Sequence, residues 1–445
     1  MLHDRIRIMK KVIEVIAFDE HIGKLGMDFQ QGKSFFQYNP EFLDFAKYSK
    51  LFPFIIRRTK SVQIFKQYIG YTFQGLPPMI ADSLPDNFGN LIFQEWLKSR
   101  GIKEITPLEQ LTYIANRGMG ALEYQPIKEL PIPGNAPASS KIDLNEIIET
   151  LKKVLKLKEQ TSGKSLTHID LLNVFKIGTS AGGARPKVLI SEHKTTGEII
   201  PGDRVIGNDY NHYLVKLHLD DSGYNKEIVE YAYYLLACEA GIHIMPSKLI
   251  NNKHFATLRY DRQNGEKQHI LTVSGLTGWD FRLSKDPQNS SYENVFKVAL
   301  GLKVPYKDIQ QLFKRMVFNV IFSNVDDHLK NHSYIYDKEN NNWELSPAYD
   351  ITYPLNPNLK FTKLYRALSI NGKRNEITFE DMMHIAEKFT IKNPKRVIEE
   401  IENLIPRWIK ISEELQIPDK IIERINHYIT PIINFSKNRT RDGQL

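Results

Sequence analysis

The amino-acid sequence predicts an α+β fold with a β-rich N-terminal subdomain and a helical C-terminal lobe. Three observations predict it. Residues 10–40, and several short stretches up to 275, alternate apolar and polar side chains at the period of a strand. From Tyr292 onward apolar residues recur at helical spacing, interrupted by a polar stretch at 324–332. A run of small residues and glycines at 178–183 leads toward the apolar strand 188–190. The organisation expected is an N-terminal subdomain over 1–128, a linker over 129–142, a small lobe over 143–275 and a helical large lobe over 276–445.

Taken in order, strands are expected at 11–17, 25–29 and 34–38, with a turn at His21–Gly23. Prolines and glycines exclude a regular element over 75–90, and a helix follows at 91–98. Residues 117–124 form another glycine-punctuated segment, and 130–140 read as a linker. Asp143 is placed to cap a helix to about 157 whose stripe is Leu144, Ile147, Ile148, Leu151 and Leu155. A strand at 212–219 carries Lys216 in an apolar context, where a lysine is costly unless it pairs with or points at an anion. The helix after it, 226–240, ends at Gly241 and offers Glu227 and Glu230 as partners. Glu230, between Val229 and Tyr231, is preferred, and Glu227 reads as a solvated face. A strand at 255–260 ends in Arg259-Tyr260-Asp261-Arg262, and 270–275 reads as a short strand suited to a hinge. Helices follow at 292–300 and 306–322. Thr378 with Asp381 forms a capping box, and Asn393 is placed as a cap before Pro394 at the first helical position.

Composition sets outer bounds. Hydrophobic residues at 41% and charged residues at 25% of 445 are ordinary for a globular chain with two or three cores. The single cysteine, Cys238, excludes an intramolecular disulfide, fits a reducing cytoplasm and reads as a buried, inert thiol. No run approaches the ~18 apolar residues needed to span a bilayer, so no membrane partner is expected. Residues 12–18 contain Glu14 and read as a strand rather than a signal peptide. A net charge of +8 permits an anionic partner without demanding nucleic acid.

The chemistry concentrates at 324–332, Asn-Val-Asp-Asp-His-Leu-Lys-Asn-His. Asp326 and Asn331 stand five residues apart, the interval between the catalytic Asp and the metal-binding Asn of a protein-kinase catalytic loop. Asp350, after a short strand, is the candidate for the second metal-binding Asp. The loop Gly182-Gly183-Ala184-Arg185-Pro186-Lys187 suits backbone amides that approach phosphate, although Pro186 before Lys187 and the strand after it exclude a Walker A. A glycine-rich loop, a strand Lys with a helix Glu, an Asp-x4-Asn loop and a later Asp, in that order, predict a two-lobed protein-kinase-like fold. Two rival readings remain open here. A metal-dependent hydrolase would use Asp326, His328, His332 and Asp350, although the Glu of His-Glu-x-x-His is missing. A non-catalytic DNA-binding regulator has no helix-turn-helix, zinc-finger or RNA-binding signature to support it.

These residues resemble the HipA-type serine/threonine kinase toxins of bacterial type II toxin–antitoxin systems. The similarity runs from about Gly23 to the C-terminus. It rests on 75–90, 117–124 and 178–187, on Arg259–Arg262, on Asn324-x-Asp326-x-His328-x-Lys330-Asn331 and on Ser346-Pro347-Ala348-Tyr349-Asp350. The resemblance implies a HipA-like kinase that uses ATP and magnesium (Mg2+). It makes Asp326 the base, and Asn331 and Asp350 the metal ligands. It gives ATP contacts to Gly182, Gly183, Ala184, Arg185, Pro186, Lys187, Lys216, His328, Asn331, Tyr349 and Asp350. It pairs Glu230 with Lys216 and makes Ser180 the autophosphorylated residue, with Thr179 as the alternative. It further implies a HipB-like antitoxin, operator DNA reached through that complex, a cytoplasmic location and a protein substrate, an aminoacyl-tRNA synthetase in the best-known case. Two departures stand out. The loop reads Gly-Ala-Arg-Pro-Lys where the best-known member has Gly-Ala-Gln-Glu-Lys, and 271–275 lacks that member's acidic hinge.

Overall fold

The computed structural model describes residues 12–44, 46–84, 105–126, 148–149, 186–202, 207–219, 224–283, 286, 288–354 and 363–429. The expected helix at 91–98, the linker at 130–140, most of the helix at 143–157 and the glycine-rich loop up to Arg185 lie outside the described residues. The chain divides into two compact units. One comprises Met1–Leu219, Leu258–Gly278 and Tyr336–Asn341, and the other Asp220–Thr257, Trp279–Ile335 and Asn342–Leu445.

The first unit is built on an antiparallel sheet of β1 (Val12–Ala17), β2 (Glu20–Asp28), β3 (Lys33–Tyr38), β4 (Gln63–Phe65) and β5 (Leu122–Pro126), ordered β4-β3-β2-β1-β5. Alternation sends Ile13, Val15, Leu25, Met27, Phe36 and Tyr38 into the core. The first turn is not at His21–Gly23. It is the two-residue loop Phe18-Asp19, whose φ values of 54° and 62° are both left-handed, as a type I′ hairpin requires. Gly23 lies inside β2, where a Cβ would collide with the carbonyl of Gln37; its lack of a side chain serves strand approach. Helix α1 (Pro107–Ile114), absent from the sequence expectation, starts at a capping box in which Glu109 N–H donates to Thr106 Oγ1 at 3.2 Å.

A second group of strands in this unit, β6 (Lys187–His193), β7 (Ile199–Pro201) and β8 (Tyr210–Lys216), pairs antiparallel with β6 in the middle. Val188, Leu189 and Ile190 are fully buried, the pattern of a strand covered on both faces. The stretch expected as a hinge strand is instead a strand, His269–Thr272, running into a short helix, Val273–Thr277. Thr272 caps that helix by accepting from Gly275 N–H at 3.1 Å. The Asp82 carboxylate accepts from Thr272 N–H at 2.8 Å and from its hydroxyl at 2.9 Å. Gly275 is required there, since a Cβ would stand 2.6 Å from the Asp82 carboxylate.

The second unit is mainly helical. Helix α2 (Lys226–Glu239) ends in a Schellman motif: Ile242 N–H donates to Ala237 O at 3.0 Å, and Gly241, at φ 66°, donates to Cys238 O at 2.9 Å. The hairpin β9 (Ser247–Ile250) and β10 (His254–Leu258) follows. Helices α3 (Tyr292–Leu302) and α4 (Tyr306–Ile321) precede β11 (Ser333–Asp337) and β12 (Asn342–Leu345). The chain then forms α5 (Phe379–Lys388), α6 (Pro394–Glu402), α7 (Ile405–Glu414) and α8 (Asp419–Asn426). The Thr378–Asp381 capping box forms as expected. Asn393 does not cap with its side chain; it takes a left-handed φ of 50° and Pro394 opens the helix. Tyr233 and Trp408 are fully buried against each other, ring centroids 5.3 Å apart, and join α2 to α7. Cys238 corrects the sequence reading. It lies at the exposed end of α2, and partial burial raises its pKa, so it is an accessible but poorly ionised thiol.

Candidate active site

Helix α4 ends at Phe322, and Ser323 turns the chain with a left-handed φ of 54° into Asn324. What holds the following loop is a buried arginine. Arg366 donates to Asn324 O at 2.9 Å, to Asn319 O at 3.2 Å and to Asp327 Oδ2 at 2.6 Å. Tyr292 hydroxyl donates to the same Asp327 oxygen at 2.6 Å, and Asn319 Nδ2 donates to Tyr292 at 3.0 Å. Burial opposes the Arg366 charge, and Asp327 more than offsets it, leaving the guanidinium above its usual pKa. The same burial, reinforced by Asp327, pushes the Tyr292 phenol well up, so it stays a donor. Asp327 is therefore the structural carboxylate of the Asp-Asp pair, whereas Asp326 is exposed.

Asn331 sits in the short 3₁₀ turn Leu329–Asn331 and donates its amide nitrogen to Asp326 O at 2.8 Å. That fixes the amide's orientation and commits its nitrogen, whereas a cation would need its oxygen. Two further bonds tie the later strand end to this loop. Asn324 Nδ2 donates to Asp350 O at 3.5 Å, and Tyr349 hydroxyl donates to Lys330 O at 2.8 Å. Asp350 has φ 56°, a left-handed conformation that costs a non-glycine residue roughly 1 kcal/mol or more. Ala348 N–H donates to His243 O at 2.7 Å and helps hold this segment in place. A carboxylate and an amide oxygen are hard donors of the kind magnesium takes. His328 packs its ring on Phe281 at 4.9 Å, and the Lys330 ammonium lies 5.6 Å from the same ring.

The hydrolase tetrad does not assemble. Among the described residues no three His, Cys, Asp or Glu side chains are placed to hold a metal. His332 points inward, is buried, and its pKa is pushed down to about 4 by that burial.

Lys216 lies in the first unit, at the end of β8, directly across from Lys187 in β6, so both side chains leave the same face of the sheet. Both are buried. Pro186 precedes that strand, while Thr179, Ser180, Gly182, Gly183, Ala184 and Arg185 lie outside the described residues. Glu230, in α2 of the second unit, is buried, and so is Glu227, which is not the solvated residue the sequence reading makes it.

Arg259-Tyr260-Asp261-Arg262 proves to be a buried charge cluster of the first unit. Asp261 accepts from Arg259 Nε at 2.9 Å and Nη2 at 2.8 Å, from Arg262 Nη1 at 2.6 Å and from Gly120 N–H at 2.9 Å. The arginines continue outward, Arg259 to Gly202 O at 3.0 Å and Arg262 to Gly118 O at 2.7 Å. The glycine-punctuated segment 117–124 is thus backbone that Arg262 reads through Gly118 and Gly120, and its Gly120 N–H answers Asp261. Nothing local in the sequence signals Arg366 or the Gly118–Gly120 contacts; the second Asp of the Asp326-Asp327 pair is the one local sign of an anchor.

Two family models match the chain. The HipA N-terminal domain matches residues 13–125 and the HipA-like C-terminal domain matches residues 179–409. A Haemophilus influenzae protein is 26% identical over 237 residues, which are 47% of this chain and 67% of that protein. A Sinorhizobium fredii protein is 24% identical over 187 residues, 40% of this chain and 43% of that one. Both carry the name putative kinase. Among solved structures, HipA in a complex with HipB and operator DNA from Shewanella oneidensis MR-1 superposes with a TM-score of 0.64. It is 15% identical and the match covers 95% of this chain and 97% of that one, so the likeness is one of fold. With the C-terminal model alone spanning more than half of its length, this α+β, kinase-like chain belongs to the HipA family.

Proposed function

We propose that this protein is a HipA-like toxin kinase that transfers the γ-phosphate of ATP to a serine or threonine hydroxyl of a protein. The observation that carries the reading is the loop of the second unit. There Asn331 is held on the Asp326 carbonyl, and Asp350 is tied back through Asn324 and Tyr349. In this reading the exposed Asp326 carboxylate orients the acceptor hydroxyl and takes its proton. Asn331 and Asp350 would hold magnesium, which would supply positive charge to the phosphates. Lys216, with Lys187 and residues 182–186, receives the phosphates. Asp327, Tyr292 and Arg366 hold the loop still. The test is incubation of the protein with labelled ATP and cell extract, followed by identification of phosphorylated bands. Label that persists undiminished with an Asp326→Asn protein sinks the reading.

Lys216 offers a separate check. A phosphate clamp made of a charge-assisted bond is worth about 1.5–3 kcal/mol, so Lys216→Ala should weaken ATP binding ~10-fold or more with the fold intact. Calorimetry on both proteins decides it, and equal affinities remove Lys216 from the site.

The partners follow from the same reading. The similar Shewanella protein was solved with HipB and operator DNA. A HipB-like antitoxin is proposed here as the neutralising partner, with an aminoacyl-tRNA synthetase as one candidate substrate. Ser180, or Thr179, is proposed as a self-phosphorylation site. A phosphoserine there adds roughly two negative charges where ATP phosphates must sit, and should switch the enzyme off. Mass spectrometry of the intact and Asp326→Asn proteins should find the phosphate only in the former; an unmodified loop in ATP-supplied, active enzyme refutes the switch.

A further inference from the structure

The first sheet has an edge that does not look like an ordinary solvated edge. β4 closes the order β4-β3-β2-β1-β5, and no described strand pairs with its outer side. Natural edges are protected by charges that break up apolar surface. Here Phe65 turns to the core while Ile64 turns out and is 57% exposed. Val62 is 52% exposed, and Ile69 and Tyr71 are each 62% exposed. Four of the seven large apolar side chains more than half exposed among the described residues therefore lie within ten residues of chain.

Ile64 heads an apolar row on the sheet. Ile64 stands directly opposite Phe35 in β3, Phe35 opposite Gly26 in β2, and Gly26 opposite Val12 in β1. Directly opposed residues share a face, so an apolar row crosses four strands, lowered in the middle where Gly26 has no side chain. Gln37 and Lys24 form the polar row beside it. The loop after β4 is fixed rather than loose: Gly75 N–H donates to Tyr68 O at 2.7 Å and Gln74 N–H to Gly70 O at 2.8 Å. It brings Ile69 to van der Waals distance of the β2–β3 turn, where a Cβ on Gly32 would lie 3.6 Å from it. The charge around this surface has one sign. Residues 45–81 hold Lys47, Lys50, Arg57, Arg58, Lys60 and Lys66, and no Asp or Glu. Arg57, Lys60 and Lys66 are exposed and flank the strand on both sides.

We propose that the β4 edge docks an extended apolar segment of a partner protein, flanked by Asp or Glu, that adds to the sheet as a further strand. Main-chain pairing supplies the affinity, Ile64 and the Phe35 row take alternate side chains, and the cations set polarity and register. A second copy of this chain fits poorly, because it would set Arg57, Lys60 and Lys66 against themselves. Duplex DNA would satisfy the cations but leave Ile64 and Ile69 in water. The inference concerns the first unit alone and does not rest on the kinase reading.

The test is selection of a displayed decapeptide library on the full chain, with the Ile64→Glu protein as counter-target. Selected peptides are then synthesised with a fluorophore and titrated by anisotropy. The expected peptides alternate apolar residues and carry Asp or Glu at their ends. Their affinity should fall at least tenfold with Ile64→Glu, with Lys66→Glu, and when alternate peptide amides are N-methylated. Melting curves of both variants should match the parent, since each change is at an exposed side chain. No enriched peptide, peptides that bind the Ile64→Glu protein equally, or peptides indifferent to N-methylation would overturn the proposal. So would a 20-base-pair duplex that binds through Lys66 while the peptides do not, which would assign the edge to nucleic acid.

Discussion

Asp326→Asn is expected to lower phosphate transfer by ~10² or more with no measurable change in melting temperature. The substitution keeps the side chain's size but removes its negative charge and its ability to accept a proton. Asp326 is exposed, and the hydrogen bond from Asn331 lands on its backbone carbonyl, which the change leaves in place. The loop geometry should therefore survive. The neighbouring residue gives the contrast. Asp327 is buried with Arg366 Nη2 and Tyr292 hydroxyl both 2.6 Å from one oxygen. Asp327→Asn leaves a buried guanidinium without its counter-charge, a loss of about 3–5 kcal/mol for a broken buried pair. One Asp is thus expected to govern rate and the other stability. Single-turnover assays beside calorimetric melts separate the two, and a large stability loss in Asp326→Asn would show that the roles have been misassigned.

How far the sequence carries depends on whether a residue's partners are local. The interval from Asp326 to Asn331 is legible because loop and 3₁₀ turn are one continuous piece of backbone, so spacing alone brings Asn331 back to the Asp326 carbonyl. Gly241 is legible for the same reason, since a Schellman motif is contained within a few residues. Arg366 is not legible: it reaches Asp327 from 39 residues away, and nothing near it marks it as buried. The short apolar run at 270–275 is ambiguous by nature, because so short a run fits strand and helix alike. Thr272 settles it by capping a helix with help from Asp82, 190 residues earlier. Cys238 fails differently. Its neighbours are apolar, but at the last turn of α2 the helix face carrying it turns outward. His21–Gly23 looks like a turn because glycine usually signals one, and here the glycine answers a close strand approach instead.

Asp261→Asn should be the most damaging single change in the first unit. Asp261 answers two buried guanidinium groups at once and also accepts from Gly120 N–H. Burial by itself would raise its pKa, yet Arg259 and Arg262 outweigh that and hold the carboxyl well below the usual carboxylate range. The amide variant places a neutral group, one end of it a donor, among donors. Arg259 and Arg262 then remain buried without their charge partner, and the expected loss is about 3–5 kcal/mol, or roughly 10 °C in melting temperature. The damage should spread to what the arginines hold, Gly118, Gly120 and Gly202, and appear as faster amide exchange there. The pH dependence supplies an independent sign. Because the folded pKa is depressed, this carboxylate's contribution is present above the unfolded value of ~3.9 and is lost as pH falls through the folded one. The stability gap between the parent and Asp261→Asn should thus be full at neutral pH and narrow below about pH 4. Melts from pH 3 to 7 on the full chain measure it. A gap that stays constant over that range would mean that the carboxylate's charge is not what stabilises the cluster.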